Sequence, residues 1–167
     1  MPTLPYKIAV LCYLFDEQDR LLLLHRSNQP NRGLHSPIGG KLDMAQGESP
    51  ADCALREMRE EVLLELEYSD IHLTGLVSET AFEGQTHWLI FLYEVTRPVT
   101  IERMSFDEGE LGWHTWDEIS GLAIPDTDRE IIFPLFHQYR GRFFHVHIDC
   151  TSGALDWRVE YPVAGGV

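Results

Sequence analysis

The segment GESPADCALREMREEV, residues 47–62, constrains the fold more than any other part of this sequence of 167 residues. Ser49 is a favourable N-cap residue, Pro50 suits the first helical position, and Asp52 completes a capping box. The sequence therefore predicts a helix that runs from Pro50 to about Val62.

Three glutamates lie on one face of this predicted helix. On a helical wheel Glu57, Glu60 and Glu61 fall together, roughly opposite an apolar stripe formed by Ala51, Leu55, Met58 and Val62. Like charges at these spacings repel each other by ~0.2–0.5 kcal/mol per pair. We expect either a solvated acidic face or a partner outside the helix that offsets the repulsion.

Two neighbouring features favour a metal ion as that partner. A glycine pair, Gly39 and Gly40, precedes the helix, and its backbone can approach a ligand closely because it has no Cβ atom. Glu48 stands just before the N-cap, at the same entrance to the helix. Carboxylate oxygens at this density suit Mg²⁺ or Mn²⁺ rather than Zn²⁺. The sequence therefore predicts a divalent-metal site on the glutamate face.

The rest of the chain predicts an α+β fold with a mixed sheet flanked by helices, because strands outnumber helices without a regular βαβ alternation. No repeat, linker or low-complexity tract interrupts the sequence, so we expect one domain over residues 1–167. The predicted strands cover residues 8–15, 21–26, 38–42, 71–82, 86–95 and 111–116, a second helix covers 128–139, and a C-terminal β-hairpin pairs 142–150 with 154–161.

Charge and cysteine content limit the partners and the compartment. A net charge of −14 disfavours nucleic-acid polymers and anionic membranes, which both attract clustered positive charge. Cys12, Cys53 and Cys150 are odd in number and lack C-x-x-C spacing, which indicates reduced thiols in a cytoplasmic protein. The sequence shows no signal-peptide pattern and no apolar run of ~18 residues, so we expect no membrane segment. The oligomeric state stays open, with a homodimer among the alternatives.

The helix and the loop before it resemble a known family motif. The Nudix box, G-x5-E-x7-R-E-U-x-E-E-x-G-U with U an aliphatic residue, is matched by Gly40, Glu48, Arg56, Glu57, Met58, Glu60 and Glu61. The resemblance implies the Nudix fold, a mixed sheet between helices in which the box forms a loop–helix–loop. It also implies Mg²⁺-dependent cleavage of a nucleoside diphosphate linked to another group. The Gly40 carbonyl would then join Glu57, Glu60 and Glu61 as metal ligands.

Two positions depart from that motif. Seven residues, rather than five, separate Gly40 from Glu48, which indicates a two-residue insertion around residues 43–45. Leu63 stands where the box has a glycine that would end the helix in a left-handed conformation. Because a leucine costs ~1 kcal/mol or more in that conformation, we expect the helix to end by another route.

The end of the chain resembles MutT-type enzymes that hydrolyse oxidised purine nucleoside triphosphates. In that group an acidic pair in the turn before the second helix recognises the purine edge. Asp126 matches the first acid, and Thr127 or Asp128 would serve as the second. The segments that carry the resemblance are PD at 125–126, FPL at 133–135, and GRFF…ALDWRVE at 141–160.

The resemblance also implies roles around the metal. Arg56 would orient Glu48 and Glu57 rather than touch phosphate, which makes Glu48 a supporting residue. The general base would be a helix glutamate, Glu57 or Glu60, or a later acid in FDEGELGW, with Glu110 favoured over Glu108. The residues expected to contact a nucleotide-type substrate are Arg26, Ser36, Lys41 and Asp126.

Two other functions use the same scaffold. A nucleotide-binding regulator would keep the fold without turnover, although the complete set of helix glutamates argues against that alternative. An enzyme similar to prenyl diphosphate isomerases would share the scaffold as well. A hydrolase would direct water at an internal phosphorus of a triphosphate, giving a nucleoside monophosphate and pyrophosphate.

Overall fold

The computed structural model describes residues 3–163 as ten strands and a few short helices. The strands are β1 (Tyr6–Tyr13), β2 (Leu21–Arg26), β3 (His35–Ser36), β4 (Ile38–Lys41), β5 (Ile71–Phe82), β6 (Thr86–Val95), β7 (Ser105–Phe106), β8 (Gly109–His114), β9 (Phe144–Asp149) and β10 (Asp156–Tyr161). The helices are α1 (Pro50–Val62), α2 (Trp116–Ile119) and α3 (Phe133–Tyr139), with a 3₁₀ turn at Tyr68–Asp70 and a π-helical turn at Asp128–Ile132. Across the described residues, these helices are all too short or too polar to cross a membrane.

Six strands form a mixed sheet in the order β10-β9-β5-β6-β1-β4. The pairs β1–β6 and β5–β9 are parallel, whereas the other neighbours are antiparallel. A smaller antiparallel sheet has the order β3-β2-β8-β7. The predicted α+β class with a mixed sheet is confirmed.

The large sheet lies between two helical layers because β1 alternates two apolar faces. Val10 and Cys12 face α1, where they pack with Met58 in one buried cluster. Tyr13, from the opposite face of β1, stacks on Phe136 of α3, with ring centroids 4.2 Å apart. This arrangement brings the N-terminal half of α1 against the Gly39-Gly40 segment at the edge of the sheet.

The predicted C-terminal hairpin is present and extends the large sheet. β9 pairs in parallel with β5 and antiparallel with β10, which forms the edge. His145 lies 3.4 Å from Glu160, and His147 contacts the Ser78 hydroxyl at 2.8 Å. These two histidines therefore belong to the polar face of the strand, as their alternation with apolar residues indicates.

The end of α1 contradicts the expectation from Leu63. This residue adopts the left-handed conformation, with φ 60° and ψ 30°, that the motif's glycine would adopt. Its N–H donates to the Arg59 carbonyl, and the Leu64 N–H donates to the Met58 carbonyl. The backbone therefore keeps the left-handed cap and carries the steric cost of a Cβ atom.

Replacing Leu63 by Gly should stabilise the protein by about 1 kcal/mol, because the substitution removes the steric cost of a side chain at positive φ. The Leu63 side chain is 59% exposed, so little burial is lost. For a protein of this size we expect the thermal midpoint to rise by roughly 2–4 °C. Leu63→Ala is the control, since alanine keeps the Cβ atom, and an equal gain in that variant would contradict the explanation.

Candidate active site

A cavity of about 480 Å³ opens between the large sheet, α1 and the loop after β2. One end of the cavity is polar and includes Gly40 and Glu57, whereas the other contains Trp88 and Ile90. The cavity is also lined by Leu11, Arg26, Ser36, Lys41, Glu79, Glu108, Asp128 and Ile132. Its size is in the range of ordinary small-molecule sites.

Arg56 connects the acidic residues at the polar end. Its Nε and Nη2 donate to the two carboxylate oxygens of Glu48 at 2.7 and 2.9 Å. Its Nη1 donates to Glu57 Oε1 at 2.7 Å and reaches Glu60 Oε2 at 3.3 Å. The arginine therefore orients Glu48 and Glu57, as the sequence suggested, and offsets part of the repulsion among the helix glutamates.

Glu48 closes the loop that carries the two-residue insertion. Its Oε2 accepts from the Asp43 backbone N–H at 2.7 Å, and Asp43 Oδ1 in turn accepts from the Gln46 N–H. The hydrogen bonds from Arg56 lower the pKa of Glu48 to about 2, against a smaller effect of burial. The insertion thus forms a turn that leaves Glu48 paired with Arg56.

Gly40 lies directly against Glu57. A Cβ atom at position 40 would lie within 2.2 Å of Glu57 Oε1, so only glycine leaves room for this carboxylate. The Gly40 carbonyl accepts a weak hydrogen bond from Cys53 Sγ at 3.8 Å. Burial raises the pKa of Glu57, and the bond from Arg56 opposes that rise.

Glu61 does not share the exposed face predicted from the helical wheel. It is only 5% exposed and lies on the buried side of α1 with Met58 and Val62. Burial, followed by the charges of Glu57 and Glu108, raises its pKa to about 8. Its Oε2 atom is buried without a hydrogen-bond partner. A buried polar atom without a partner is costly, so a cation beside this oxygen would be favourable.

Glu60 is the member of the trio that faces solvent. Its side chain is 56% exposed, and its ionic contact in the structure is the 3.3 Å approach of Arg56. The three glutamates therefore occupy different environments: Glu57 lines the cavity, Glu61 is buried on α1, and Glu60 is exposed.

The later acid that lines the cavity is Glu108, whereas Glu110, which the sequence favoured as the base, does not line it. Glu110 is exposed on β8, because strand alternation turns its neighbour Leu111 into the core. Glu108 lines the cavity and lies 3.4 Å from Arg26 Nη2. It also raises the pKa of Glu57 and Glu61.

The other predicted substrate contacts lie at the cavity with one exception. Arg26, Ser36 and Lys41 all line it. Asp126 is exposed and does not line it, because the turn before the π-helical segment directs Asp128 inward instead. The contact of Asp126 with substrate stays a prediction, and the acid of this turn that lines the cavity is Asp128.

One acidic residue of the cavity was not predicted from the sequence. Glu79 is 3% exposed and lines the cavity from β5, opposite Trp88 in the β5–β6 register. A signal was present, because the two-residue period of the strand places Glu79 with Val77 and Ala81 on the inward face. A glutamate in a buried strand position is uncommon without a partner or a function.

Comparison with known proteins shows the family of this chain. The family model that describes the NUDIX domain matches residues 5–138. An uncharacterised Nudix hydrolase, YvcI from Bacillus subtilis, is 30% identical over 118 residues, which cover 68% of this chain and 70% of the relative. The chain belongs to the Nudix family. It is therefore a hydrolase of the pyrophosphatase type.

Solved structures share the Nudix fold. A mutator MutT protein from Bacillus halodurans superposes with a TM-score of 0.72 at 24% identity, covering 92% of this chain and 97% of that protein. The Nudix domain of Shewanella oneidensis NrtR, in complex with ADP-ribose, has a TM-score of 0.63 at 16% identity and covers 83% of this chain and 90% of that one.

The Nudix donor set is compatible with a magnesium ion. Within residues 3–163 no three acidic, histidine or cysteine side chains converge as a preformed metal cage. Mg²⁺ does not need one, because it binds through one or two carboxylates and completes its shell with waters and substrate phosphates. Glu61 Oε2 lacks a partner, and the Gly40 backbone leaves room beside Glu57. These oxygens fit a hard dication.

Proposed function

We propose that this Nudix hydrolase is a Mg²⁺-dependent pyrophosphohydrolase of a nucleoside diphosphate linked to another group. A purine nucleoside triphosphate, including an oxidised one, is the substrate we favour, and its products would be the monophosphate and pyrophosphate. The observation that carries the proposal is the composition of the cavity. Glu57, held by Arg56, lines one end, and Trp88 and Ile90 line the other.

In this proposal Glu57, Glu60 and Glu61, with the Gly40 carbonyl, hold the metal. Mn²⁺ would occupy the same oxygens with similar chemistry. When bound, the ion neutralises the charge of the diphosphate and of the transition state. The raised pKa of Glu61, about 8, supports a ligand role, because a buried carboxylate gains most from a nearby cation.

The chain's own residues hold the reacting groups in place. Arg56 keeps Glu57 beside Gly40 through the 2.7 Å contact, while Glu48 fixes the other side of the guanidinium. Arg26 and Lys41 offer positive charge to substrate phosphates, and Ser36 offers a hydroxyl.

A carboxylate must take the proton of the attacking water. Glu57 and Glu60 on α1 remain candidates for this base, and Glu108 replaces Glu110 as the candidate from the later acidic segment. Glu108 lines the cavity, and its Oε2 lies 3.4 Å from Arg26 Nη2. The proton would then be held at a Glu108 oxygen until product release.

We also propose a domain organisation and a cellular location for the protein. We propose that residues 1–167 act as one domain, since β9 and β10 continue the sheet that contains the site. A cytoplasmic location is supported by the three cysteines, which are all unpaired thiols.

The proposed function is tested by incubating the protein with nucleoside triphosphates, oxidised purine triphosphates and ADP-ribose, with Mg²⁺ or with a chelator. We expect a nucleoside monophosphate and pyrophosphate from at least one triphosphate, with a loss of all turnover in the chelator. Calorimetric titration with Mg²⁺ should show binding that EDTA reverses. A protein that binds a nucleotide tightly yet releases no product, or that turns over equally well without a metal, would contradict the proposal.

A further inference from the structure

Glu108 lies in the turn of a short hairpin formed by β7 and β8. The two strands meet at the pair Phe106–Gly109, which leaves Asp107 and Glu108 as the turn. β7 has two residues and forms the edge of the small sheet. Because so short a strand contributes little stability by itself, the position of Glu108 depends on what anchors the hairpin.

Arg103 anchors the start of this hairpin to the end of α1. Its Nη1 donates to the Glu60 carbonyl at 2.8 Å and reaches the Glu61 carbonyl at 3.4 Å. Its guanidinium carbon lies 5.9 Å from the centroid of the Phe106 ring in β7. The last carbonyls of a helix lack intrahelical partners and carry partial negative charge, so a cation is favourable there. One side chain therefore joins the glutamate helix to the strand that precedes Glu108.

A second set of contacts holds the turn against the loop after β2. Asn28 Nδ2 donates to the Asp107 carbonyl at 2.8 Å, and the Ser27 backbone N–H donates to the Glu108 carbonyl at 2.8 Å. A Cβ atom at Gly109 would lie 2.0 Å from a backbone oxygen of β2, so the turn lies directly on that strand. The hairpin is thus held by β2 on one side and by Arg103 on the other.

We propose that Arg103 is a positioning residue, which holds Glu108 at the cavity through the β7–β8 hairpin. Arg103 does not line the cavity, so it acts through Glu108 and not on the substrate. The inference rests on the proposed function for the role of Glu108 as the base that takes the proton of the attacking water. A displacement of about 1 Å in a reacting group can lower a rate by up to roughly 100-fold.

Arg59 separates this role from a simple effect of charge at the helix end. It is exposed and lies in the last turn of α1. Replacing either arginine by methionine removes one positive charge from this end of the helix. The hydrogen bonds to the Glu60 and Glu61 carbonyls, however, come from Arg103. A difference between the two variants therefore reports on the connection to the hairpin.

The first measurement compares kcat and KM in Mg²⁺ for the triphosphate that the wild type hydrolyses fastest, at a temperature well below the thermal midpoints. Arg103→Met should lower kcat by roughly tenfold, because Glu108 loses its fixed position, and should change KM by less than about twofold. Arg103→Lys should recover part of the loss, since lysine keeps a cation near the helix carbonyls. Arg59→Met should retain the wild-type kcat.

A double-mutant cycle tests whether Arg103 acts through Glu108. Glu108→Gln should lower kcat by about 100-fold, the lower range for loss of a general base. Adding Arg103→Met to this variant should change kcat by less than about twofold, because the group that Arg103 positions is already inactive. A tenfold fall in both backgrounds would mean that Arg103 has only a structural role. That result, or an unchanged kcat in Glu108→Gln, would overturn the inference.

Hydrogen exchange gives a measurement that needs neither metal nor substrate. The Leu111 N–H donates to the Met104 carbonyl at 2.8 Å at the base of the hairpin, and the Ser27 N–H donates to its turn. In the presence of a chelator, Arg103→Met should speed exchange of these two amides by about tenfold, because the hairpin opens more often. Arg59→Met should leave both exchange rates unchanged, and equal rates in Arg103→Met and the wild type would overturn the inference.

The two measurements keep this inference apart from the proposed function. Nucleotide hydrolysis by the wild type with an unchanged kcat in Arg103→Met would uphold the proposed function and overturn the inference. A wild type that hydrolyses no nucleotide would reject the proposed function. In such a protein, faster exchange of the Ser27 and Leu111 amides in Arg103→Met would still uphold the anchoring of Glu108, and unchanged exchange would overturn it.

Discussion

Glu57→Gln is expected to lower kcat by two to three decades while leaving the fold intact. The carboxylate of Glu57 lines the cavity beside Gly40, and in the proposed function it holds the metal that neutralises charge in the transition state. Loss of one such electrostatic contact costs ~3–4 kcal/mol of transition-state stabilisation. An amide still accepts from Arg56, and burial already disfavours the charge of Glu57, so the thermal midpoint should fall little.

Glu65→Gln provides the matched control, because Glu65 is an exposed glutamate just beyond the end of α1. Steady-state rates with Mg²⁺, Mg²⁺ titrations and thermal midpoints are compared for both variants and the wild type. The control should retain wild-type values in all three measurements. A Glu57→Gln protein that turns over at the wild-type rate would exclude Glu57 from the mechanism.

The local features of the sequence predicted α1 and its surroundings well. The N-cap at Ser49 and the proline at the first helical position define the start of α1, and both depend only on neighbouring residues. The strand pattern likewise predicted the mixed sheet. The pairing of Arg56 with Glu48 and Glu57 followed from the family resemblance, and the distances support it.

The sequence and the structure differ mainly in which side chains of an element face the cavity. A helical wheel gives the angle between side chains but not the position of neighbouring elements, so it grouped Glu61 with Glu57 and Glu60 opposite the apolar stripe, whereas Glu61 is buried. Asp128 lines the cavity and Asp126 does not, because the turn before the π-helical segment directs Asp128 inward, which sequence spacing alone does not reveal. For a similar reason Glu108 lines the cavity and Glu110 does not, because the start of β8 determines which of the two acids points outward.

Leu63 shows a different limit of the sequence. The cost of a leucine in the left-handed conformation predicts another helix end, yet the α1 terminus keeps that conformation. The hydrogen bonds from Leu63 and Leu64 to the last carbonyls, together with the burial of Met58 and Val62, outweigh a local cost of ~1 kcal/mol. Tertiary packing therefore decided a position at which local propensity pointed elsewhere.

Arg56→Met should reduce both activity and stability, because it removes the cation shared by three carboxylates. Methionine keeps an unbranched stem of similar length, so packing changes little, but Glu48, Glu57 and Glu60 lose their hydrogen bonds. We expect kcat to fall at least tenfold as Glu57 loses its orientation, with weaker Mg²⁺ binding. The free energy of unfolding at pH 7 should fall by about 2 kcal/mol, the order of a charge-assisted hydrogen bond.

The pH dependence of that loss identifies its origin. The pKa of Glu48 is lowered from 4.5 to about 2 in the folded protein, chiefly by its hydrogen bonds to Arg56. The native state therefore binds fewer protons than the unfolded state between these values, so the stabilisation is present above pH 4.5 and is lost as the pH falls towards 2. Urea unfolding of wild type and Arg56→Met between pH 7 and pH 3 should show a difference that shrinks with acidification. Arg59→Met, at an exposed position on the same helix, should show a smaller difference without this trend. A stability difference that stays constant across the range would mean that Arg56 stabilises the protein through packing. In that case only a bound metal ion would offset the repulsion among the helix glutamates.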